Sequence, residues 1–471
     1  MNRNKQSAVC VGILLLVCVL PIYGQAGPGK VLQAVGEASL YGGPPTPEEL
    51  ALRQTGLSGL GLTFIDGDPF FRVQLQPDLN FGKIGVGLDV VLLYNPDPDL
   101  RPDGTEEDKI LAEDGEEWDD VSTILRVIRY VRYGHLSDPF YARFGDLNYV
   151  TIGHGFIMSG YSNYDRRGLR LNLSTKTKKI GVETVINNLG NPTVLGGRVY
   201  LRPFQKEEGG TPLLNRLEIG GTYLTDIDPD PQAEDEDPLI ALGVDVGIPI
   251  INSKLLRLDL YDDIAFLNTK PKENEPGQTE TAMGNAVGLG LSIPKALFKI
   301  EYRIFDDGFR PTIFDYTYDS SPAFLGMDTE EGEDEAKKGY FSMLAWRPIS
   351  KVDLLATFED YDNTEPKLYV GLTESGLVDR LSFRAFYVKR NIGEPNPDGE
   401  DPDFFEDLFD LDDKSAFIVQ IGYEVLPSLE LAVIREYRFQ QIQVAGDDGE
   451  EETTFEPIQK TSVEIGFKLN F

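Results

Sequence analysis

The sequence contains very little cysteine and histidine, and this scarcity narrows the chemistry open to it. Cys10 and Cys18 are the only two cysteines among 471 residues. Both fall in an N-terminal leader, so the remainder is expected to hold no disulfide and no cysteine-ligated metal. With His135 and His154 as the only histidines, a Ser–His or Asp–His arrangement has two candidates, and no phosphate loop or redox motif accompanies them. We therefore expect no enzyme activity and no cofactor.

Long hydrophobic runs are equally scarce. The one long run covers residues 8–20, follows Arg3 and Lys5, and ends in Pro21 to Gln25. This pattern is typical of a secretory signal peptide, with cleavage expected after Gly24. The run is shorter than the roughly 20 residues of a membrane-spanning helix, which disfavours an uncleaved anchor. Lipidation at Cys18 is a minor alternative, because Val17 stands where such sites require a small residue.

Alternating apolar and polar residues fill much of the rest of the chain. In residues 83–95 the apolar positions recur at every second residue from Ile84 to Tyr94, and residues 462–471 repeat the pattern up to the terminal Phe471. A period of two predicts strands with one apolar face. Further strands are predicted at 57–64, 126–133, 168–174, 179–186, 198–204, 217–225, 239–250, 255–267, 282–293, 297–305, 340–346, 352–361, 367–372, 381–389, 417–425 and 429–439.

The connections between these strands alternate between long and short. Residues 426–428, 348–351 and 294–295 form tight connections, whereas 306–338 and 391–413 form long ones. Turns on one side and loops on the other are typical of a membrane barrel. A soluble β-sandwich or propeller also alternates, but it has no reason to sort its loops by length, and we find no fixed repeat period.

Together, the signal peptide, the alternating strands and the last strand ending on Phe471 resemble the outer-membrane barrels of porin type in Gram-negative bacteria. The resemblance rests on no specific family motif. It implies an all-β fold, a transmembrane antiparallel up-and-down barrel of about 16–20 strands with short periplasmic turns and long acidic extracellular loops. It also implies an outer-membrane location, contact with membrane lipid, and recognition of the C-terminal strand by the barrel-assembly machinery. The expected divisions are a signal peptide at 1–24, a periplasmic or lumenal segment at 25–56, and the barrel at 57–471.

Acidic residues are concentrated in the long connections. The formal net charge is −34, and by count six connections hold 48 of the 78 acids. Such stretches are expected to be solvated, and they make nucleic acid an implausible partner. Loosely bound divalent cations are a weak expectation at two acidic clusters, neither of which has the spacing of a dedicated calcium loop. These clusters contain Asp97, Asp99, Asp103, Asp226, Asp228, Asp230, Asp235 and Asp237.

Residues 126–170 contain the strongest candidate for a pore constriction. Arg143, Arg166 and Arg170 are predicted to point away from lipid, because a guanidinium at the bilayer midplane costs about 2–4 kcal/mol. The intervening residues 147–165 are Gly-rich and carry little acid, which suits a segment folded into the lumen. Pairing of the arginines with lumenal acids such as Asp146 and Glu218 is a compatible alternative. The full candidate set is Arg132, Arg143, His154, Tyr161, Asp165, Arg166 and Arg170.

The expected function is a passive channel for small hydrophilic solutes or ions. The alternative is a non-conducting structural or surface-binding barrel, a receptor or adhesin that acts through its acidic loops. The sequence leaves open the solute, the ion preference and assembly into a homo-oligomer.

Overall fold

The protein is described here from a computed structural model. It describes residues 58–65, 68–75, 78–88, 90–94, 127–136, 138–147, 150–163, 166–206, 211–229, 238–253, 255–271, 279–306, 308–315, 318, 336–349, 351–362, 364–375, 377–393, 403–410, 415–426, 429–445 and 451–467. The proposed signal peptide and the segment 25–56 lie outside these residues. Within the described part of the chain, no helix is long and apolar enough to cross a bilayer.

The described residues form 22 strand segments and very little helix. The first half of the chain contains β1 (Ser58–Ile65), β2 (Asp68–Leu75), β3 (Asp78–Phe81), β4 (Ile84–Leu88), β5 (Val90–Tyr94), β6 (Ile128–Tyr133), β7 (Phe140–Gly145), β8 (Gly168–Ser174), β9 (Ile180–Ile186), β10 (Val194–Leu201) and β11 (Glu218–Asp226). The second half contains β12 (Leu239–Asn252), β13 (Arg257–Pro271), β14 (Thr279–Ile293), β15 (Ala296–Phe305), β16 (Lys337–Ile349), β17 (Val352–Tyr361), β18 (Lys367–Ser375), β19 (Leu381–Lys389), β20 (Ser415–Leu426), β21 (Leu429–Ala445) and β22 (Glu451–Phe467). A short 3-10 helix (Leu214–Arg216) and helix α1 (Phe404–Phe409) complete the described elements.

The strand pairings close into a ring. From β6 onward each strand pairs antiparallel with the next, and β22 pairs antiparallel with β1. The β2–β5 and β3–β4 pairings share one continuous register, so β2 with β3 and β4 with β5 each make one interrupted barrel strand. Counted in this way, the 22 segments are twenty barrel strands. The chain is therefore an all-β, antiparallel up-and-down barrel, as the alternation predicted, with a strand number at the upper end of the expected range.

The two ends of the barrel differ in the length of their connections. Lys295 lies in the tight turn between β14 and β15, and similarly short turns join β12 to β13, β16 to β17 and β20 to β21. β1 starts and β22 stops at this same end, which follows from an even number of strands. The connections that carry the six acidic stretches all leave the opposite end. We call these the short-turn end and the long-loop end.

Burial alternates along the strands, so the wall has two different faces. In β12, Leu239, Ala241 and Asp245 are buried, whereas Leu242 and Val244 are 48% and 58% exposed. On β7 to β16 and on β20 and β21 the exposed face is apolar, an arrangement that suits contact with hydrocarbon on alternate side chains. Its members include Phe140, Leu173, Val199, Ile219, Tyr223, Leu242, Val244, Leu260, Phe266, Val287, Leu289, Tyr302, Ile304, Tyr340, Ile421, Tyr423 and Val433.

Glycines in the wall lie opposite large inward side chains. Tyr200 faces Gly181 across β10 and β9, and Tyr261 faces Gly288 across β13 and β14. A Cβ atom at either glycine would stand 2.3 or 2.1 Å from the tyrosine ring carbon Cζ. Each ring lies flat on the neighbouring backbone, which strengthens the cross-strand contact that glycine itself cannot make.

One acidic connection is packed rather than fully solvated. Helix α1 begins after Asp403, whose carboxylate accepts a hydrogen bond from Phe405 N at 3.0 Å. Phe404 is buried against Phe358, on the opposite side of β17 from the lumen-facing Glu359. Lys389 is fully buried, and its Nζ lies 3.2 Å from Asp407 Oδ1. The connection after β19 therefore packs on the outer wall. Burial of its apolar residues and the Lys389–Asp407 ion pair stabilise this position more than solvation of its acidic residues would stabilise an extended one.

Candidate lumenal site

Two segments from the long-loop end fold into the barrel. The first, which we call the inserted segment, comprises residues 147 and 150–163, between β7 and β8. It contacts Glu183 on β9, Asp263 on β13 and Lys299 on β15, all on the buried face of the wall. A segment outside a curved wall could not reach strands so far apart, so it lies in the lumen. The second segment, residues 308–315 and 318, follows β15.

The inserted segment is a compact hairpin. Val150 and Tyr161 exchange both backbone hydrogen bonds, at 2.7 and 3.0 Å. Asn163 closes its base through Oδ1, which accepts from Leu147 N at 2.7 Å. Gly153 and Gly155 both have positive φ, +60° and +90°, a region that L side chains rarely adopt. These two glycines reverse the chain on either side of His154.

The second segment adds backbone pairing to the first. Thr312 N donates to Phe156 O at 2.7 Å, and Ser159 N donates to Phe314 O at 3.1 Å. Tyr318 reaches the wall, where its hydroxyl donates to Asp226 Oδ2 at 2.7 Å. The two segments bury an apolar cluster against β9 to β15 that includes Leu147, Val150, Ile152, Phe156, Ile157, Met158, Tyr161, Val185, Val194, Leu224, Ala241, Ala265, Leu267, Ala282, Ala286, Phe305, Phe309 and Phe314.

His154 fastens the tip of the inserted segment to the wall. Its Nδ1 lies 3.0 Å from Asp263 Oδ1, and its ring stacks on Tyr261 with centroids 4.2 Å apart. Lys299 Nζ donates to the carbonyl oxygen of His154. Burial alone would lower the pKa of His154, but the charges of Asp263 and Asp245 and the hydrogen bond with Asp263 outweigh burial and raise it.

Glu301 on β15 holds a buried group of charges beside this tip. It accepts from Tyr261 Oη at 2.8 Å, from Lys299 Nζ at 2.6 Å and from Arg303 Nη2 at 2.6 Å. Glu301 and Arg303 are fully buried. The Arg303 guanidinium also lies 5.6 Å from the ring centroid of Phe156. A buried carboxylate requires such partners, because desolvation of an unpaired charge is costly.

Arg198 on β10 organises a second group of charges. Its Nε and Nη2 donate to the two carboxylate oxygens of Asp245 at 2.8 and 2.6 Å, and Nη2 also reaches Glu218 Oε1 at 2.8 Å. Bidentate contacts of this kind fix both geometry and charge. The interior of the barrel at β10, β11 and β12 is therefore braced by ion pairs.

A cavity of about 360 Å³ lies below the inserted segment. Its wall reaches Leu136, Arg216 and Asn252 near the short-turn end, and His154 forms part of its roof. Its charged lining carries more bases than acids: Arg170, Arg202, Arg216, Arg257 and Lys299 against Glu183, Glu218 and Asp259.

The predicted constriction residues do not all lie together. Arg132, Arg143 and Arg170 are register partners across β6, β7 and β8, so they form one row on the inner wall. Arg143 is buried: its Nη2 lies 2.5 Å from Asp146 Oδ1 and its guanidinium lies 4.0 Å from the Tyr130 ring centroid. Arg166 precedes β8 rather than lying within it, because its backbone N–H closes a turn onto Asn163 O.

The remaining predicted positions are distributed more widely. Tyr161 is fully buried in the apolar cluster, and His154 forms the anchor described above. Asp226 accepts from Tyr318, and Asp228 is exposed near it. Asp165, Asp97, Asp99, Asp103, Asp230, Asp235 and Asp237 lie outside the described residues.

Several central residues were missed by the sequence reasoning. Asp245, Asp263 and Glu301 each fall at a polar position inside an otherwise apolar-alternating strand, and this was the available signal. The sequence does not show which residues come into contact, because His154 and Asp263 are 109 residues apart in the chain.

Comparison with known proteins gives no family. No family model and no curated relative matches the chain. Among solved structures, the siderophore receptor PiuA from Acinetobacter baumannii is 11% identical, covering 87% of this chain and 81% of that one, with a TM-score of 0.30. Pseudomonas aeruginosa OpdK with vanillate is 10% identical, covering 85% and 92%, with a TM-score of 0.28. The ferric-catecholate import receptor Fiu from E. coli K12 is 8% identical, covering 87% and 80%, with a TM-score of 0.33. Similarity at this level carries no argument about this chain, so the fold assignment rests on its own strand pairing.

Proposed function

We propose that this protein is an outer-membrane channel for passive diffusion of small hydrophilic solutes or ions, narrowed by its two inserted segments. The observation that carries the proposal is the contrast between the two faces of the closed wall. The outer face is apolar on β7 to β16 and on β20 and β21, whereas the inner face holds Arg198, Asp245 and Glu301. An apolar exterior around a charged interior suits a barrel in lipid that encloses water.

The cavity supports a path for solutes from the short-turn end. The charged side chains that line the cavity make it polar. Because the lining holds more bases than acids, anions should be favoured over cations inside the cavity. Selectivity at the long-loop end should be the reverse, since the acidic connections leave there and attract cations. Export by the signal peptide and insertion through the C-terminal strand complete the proposal.

A non-conducting barrel is the second candidate, and the apolar cluster of the inserted segments favours it. Met158, Tyr161 and Phe314 are fully buried, so this side of the lumen is packed as densely as a protein core. A barrel closed in this way would act as a structural or surface-binding protein through its acidic connections.

Planar-bilayer recording of the refolded full chain distinguishes the two candidates. The channel proposal predicts stable, stepwise conductance. Replacing Arg170 and Arg216 by glutamine should shift the reversal potential in a salt gradient toward cation selectivity, because two cations of the cavity lining are lost. In a matched control, Lys83→Gln in an exposed turn, the reversal potential should be the same as in wild type. A silent bilayer with correctly folded protein would favour the second candidate.

A further inference from the structure

Three potential metal ligands meet where the inserted segment touches the wall. His154 comes from the inserted segment, and Asp245 and Asp263 come from β12 and β13. One ligand atom from each lies within 4.8 Å of the other two. Asp245 and Asp263 are direct register partners, both on the inner face. Two like charges directly opposite each other in a sheet are destabilising unless something cationic lies between them.

The protein alone does not fully satisfy these carboxylates. Asp263 Oδ2 is buried and has no hydrogen-bond partner among the described residues, although the Asp263 side chain is only 8% exposed. Asp245 is held by Arg198. Arg198 and Arg202 against Asp245, Glu218 and Asp263 leave one negative charge uncompensated when His154 is neutral. A buried, unpartnered carboxylate oxygen is costly, and the Asp263 side chain lines the same small cavity as His154 and Asp245.

Space for an ion adjoins the three side chains. A cavity of about 20 Å³ is lined by His154, Asp245 and Asp263 together with Gly243. This volume holds about one water molecule or a single ion. His154 also lines the larger cavity of about 360 Å³, which provides a route for the ion. Lys299 lies nearby, but its charge is matched by Glu301 at 2.6 Å.

We propose that His154, Asp245 and Asp263 bind a divalent transition-metal cation of the zinc, nickel or cobalt type inside the lumen. One imidazole nitrogen and two carboxylate oxygens are a donor set that such ions accept, whereas calcium and magnesium prefer oxygen alone. Three protein ligands and one water from the small cavity complete a four-coordinate site. Asp245 can keep its contact with Arg198, because a carboxylate has about four lone-pair sites.

The consequence is a metal-dependent attachment of the inserted segment. His154 belongs to the segment and both carboxylates belong to the wall, so a bound ion joins the two directly. The site does not depend on conduction, since a closed barrel with the same contacts would bind the same ion.

The test is calorimetric titration of Zn²⁺ into the refolded, chelator-treated full chain. Wild type should show one tight site above a weak background from the acidic connections. His154→Gln should weaken the tight site at least about tenfold. His135→Gln, which changes the other histidine in a turn, should leave it unchanged. Tight binding equal in wild type and His154→Gln, or only the weak background in wild type, would overturn the proposal.

A second measurement separates ligand loss from misfolding. Co²⁺ bound through one nitrogen and two oxygens gives d–d absorption bands that report its ligands directly. Asp263→Asn should lose these bands while its near-ultraviolet circular dichroism stays that of wild type. Bands unchanged in a correctly folded Asp263→Asn variant would contradict the assignment.

Discussion

Removal of the Glu301 carboxylate should be among the most damaging single changes in the barrel interior. In Glu301→Ala, Lys299 and Arg303 lose the carboxylate that lies 2.6 Å from each of them, and Tyr261 loses its acceptor. Breaking a buried ion pair from one side costs about 3–5 kcal/mol, because an uncompensated charge stays buried. We expect a loss of unfolding free energy in that range.

The same reasoning predicts that removing the whole group is far less harmful. In the triple variant Lys299→Met, Glu301→Leu, Arg303→Met no buried charge of this group remains, and such apolar replacements are often neutral. The hydrogen bond from the charged Lys299 amine to the His154 carbonyl is lost, at a cost of about 1.5–3 kcal/mol. The triple variant should therefore be more stable than Glu301→Ala.

The assay is urea unfolding of protein refolded into lipid vesicles, followed by the fluorescence of Trp346 on β16, next to β15. Asp362→Ala is the matched control: in its pair with Lys338 the side chains are 56% and 59% exposed, and loss of such an exposed pair should cost about 1 kcal/mol or less. A Glu301→Ala loss no larger than that of Asp362→Ala, or a triple variant as unstable as the single one, would refute the reasoning.

Three further predictions follow from individual contacts. Met158→Ala should destabilise the barrel by about 2–5 kcal/mol through a cavity in the inserted segment, and should raise conductance in bilayer recordings; an unchanged unfolding midpoint would contradict this. Lys389→Met should destabilise the barrel more than Lys389→Met combined with Asp407→Leu, measured by urea unfolding, because only the single variant leaves Asp407 buried without its cation. Burial alone would raise the pKa of Asp138, but the hydrogen bonds and charges of Lys83 and His135 outweigh burial and lower that pKa in the folded protein. The Asp138 contact therefore stabilises the folded barrel at pH values above the ordinary pKa of 3.8. This stabilisation is lost as the pH falls through the lower pKa of the folded state. Wild type should be more stable than Asp138→Asn at neutral pH and equal to it in strong acid; a constant difference would count against the pair.

The fold was accessible from sequence because alternation and loop length are local signals. Residues 84–94 and β12 carry an apolar residue at every second position, and that face of each strand must meet an apolar medium. Closure was implied by the resemblance to membrane barrels and is confirmed by the antiparallel pairing of β22 with β1. The predicted lumenal position of residues 147–165 rested on their low acidity and agrees with the packing of the described part, 150–163.

The site was less accessible because its contacts are long-range. Nothing local pairs His154 with Asp263 or places Glu301 between two cations. Arg166 was predicted to point inward together with Arg170, but its N–H closes a turn onto Asn163 O and places it before β8. The packing of Phe404 on the outer wall was hidden by the acids around it.

The central claim is that neighbouring side chains of one strand face lipid and lumen alternately, and β20 tests it most directly. Ile421, 50% exposed on the outer face, and its neighbour Gln420 can each be changed to cysteine and labelled with an environment-sensitive fluorophore in vesicles. The barrel predicts blue-shifted emission, quenched by lipid-borne nitroxides, at residue 421, and water-like emission without that quenching at residue 420. Equal, water-like emission from both labels would contradict the account.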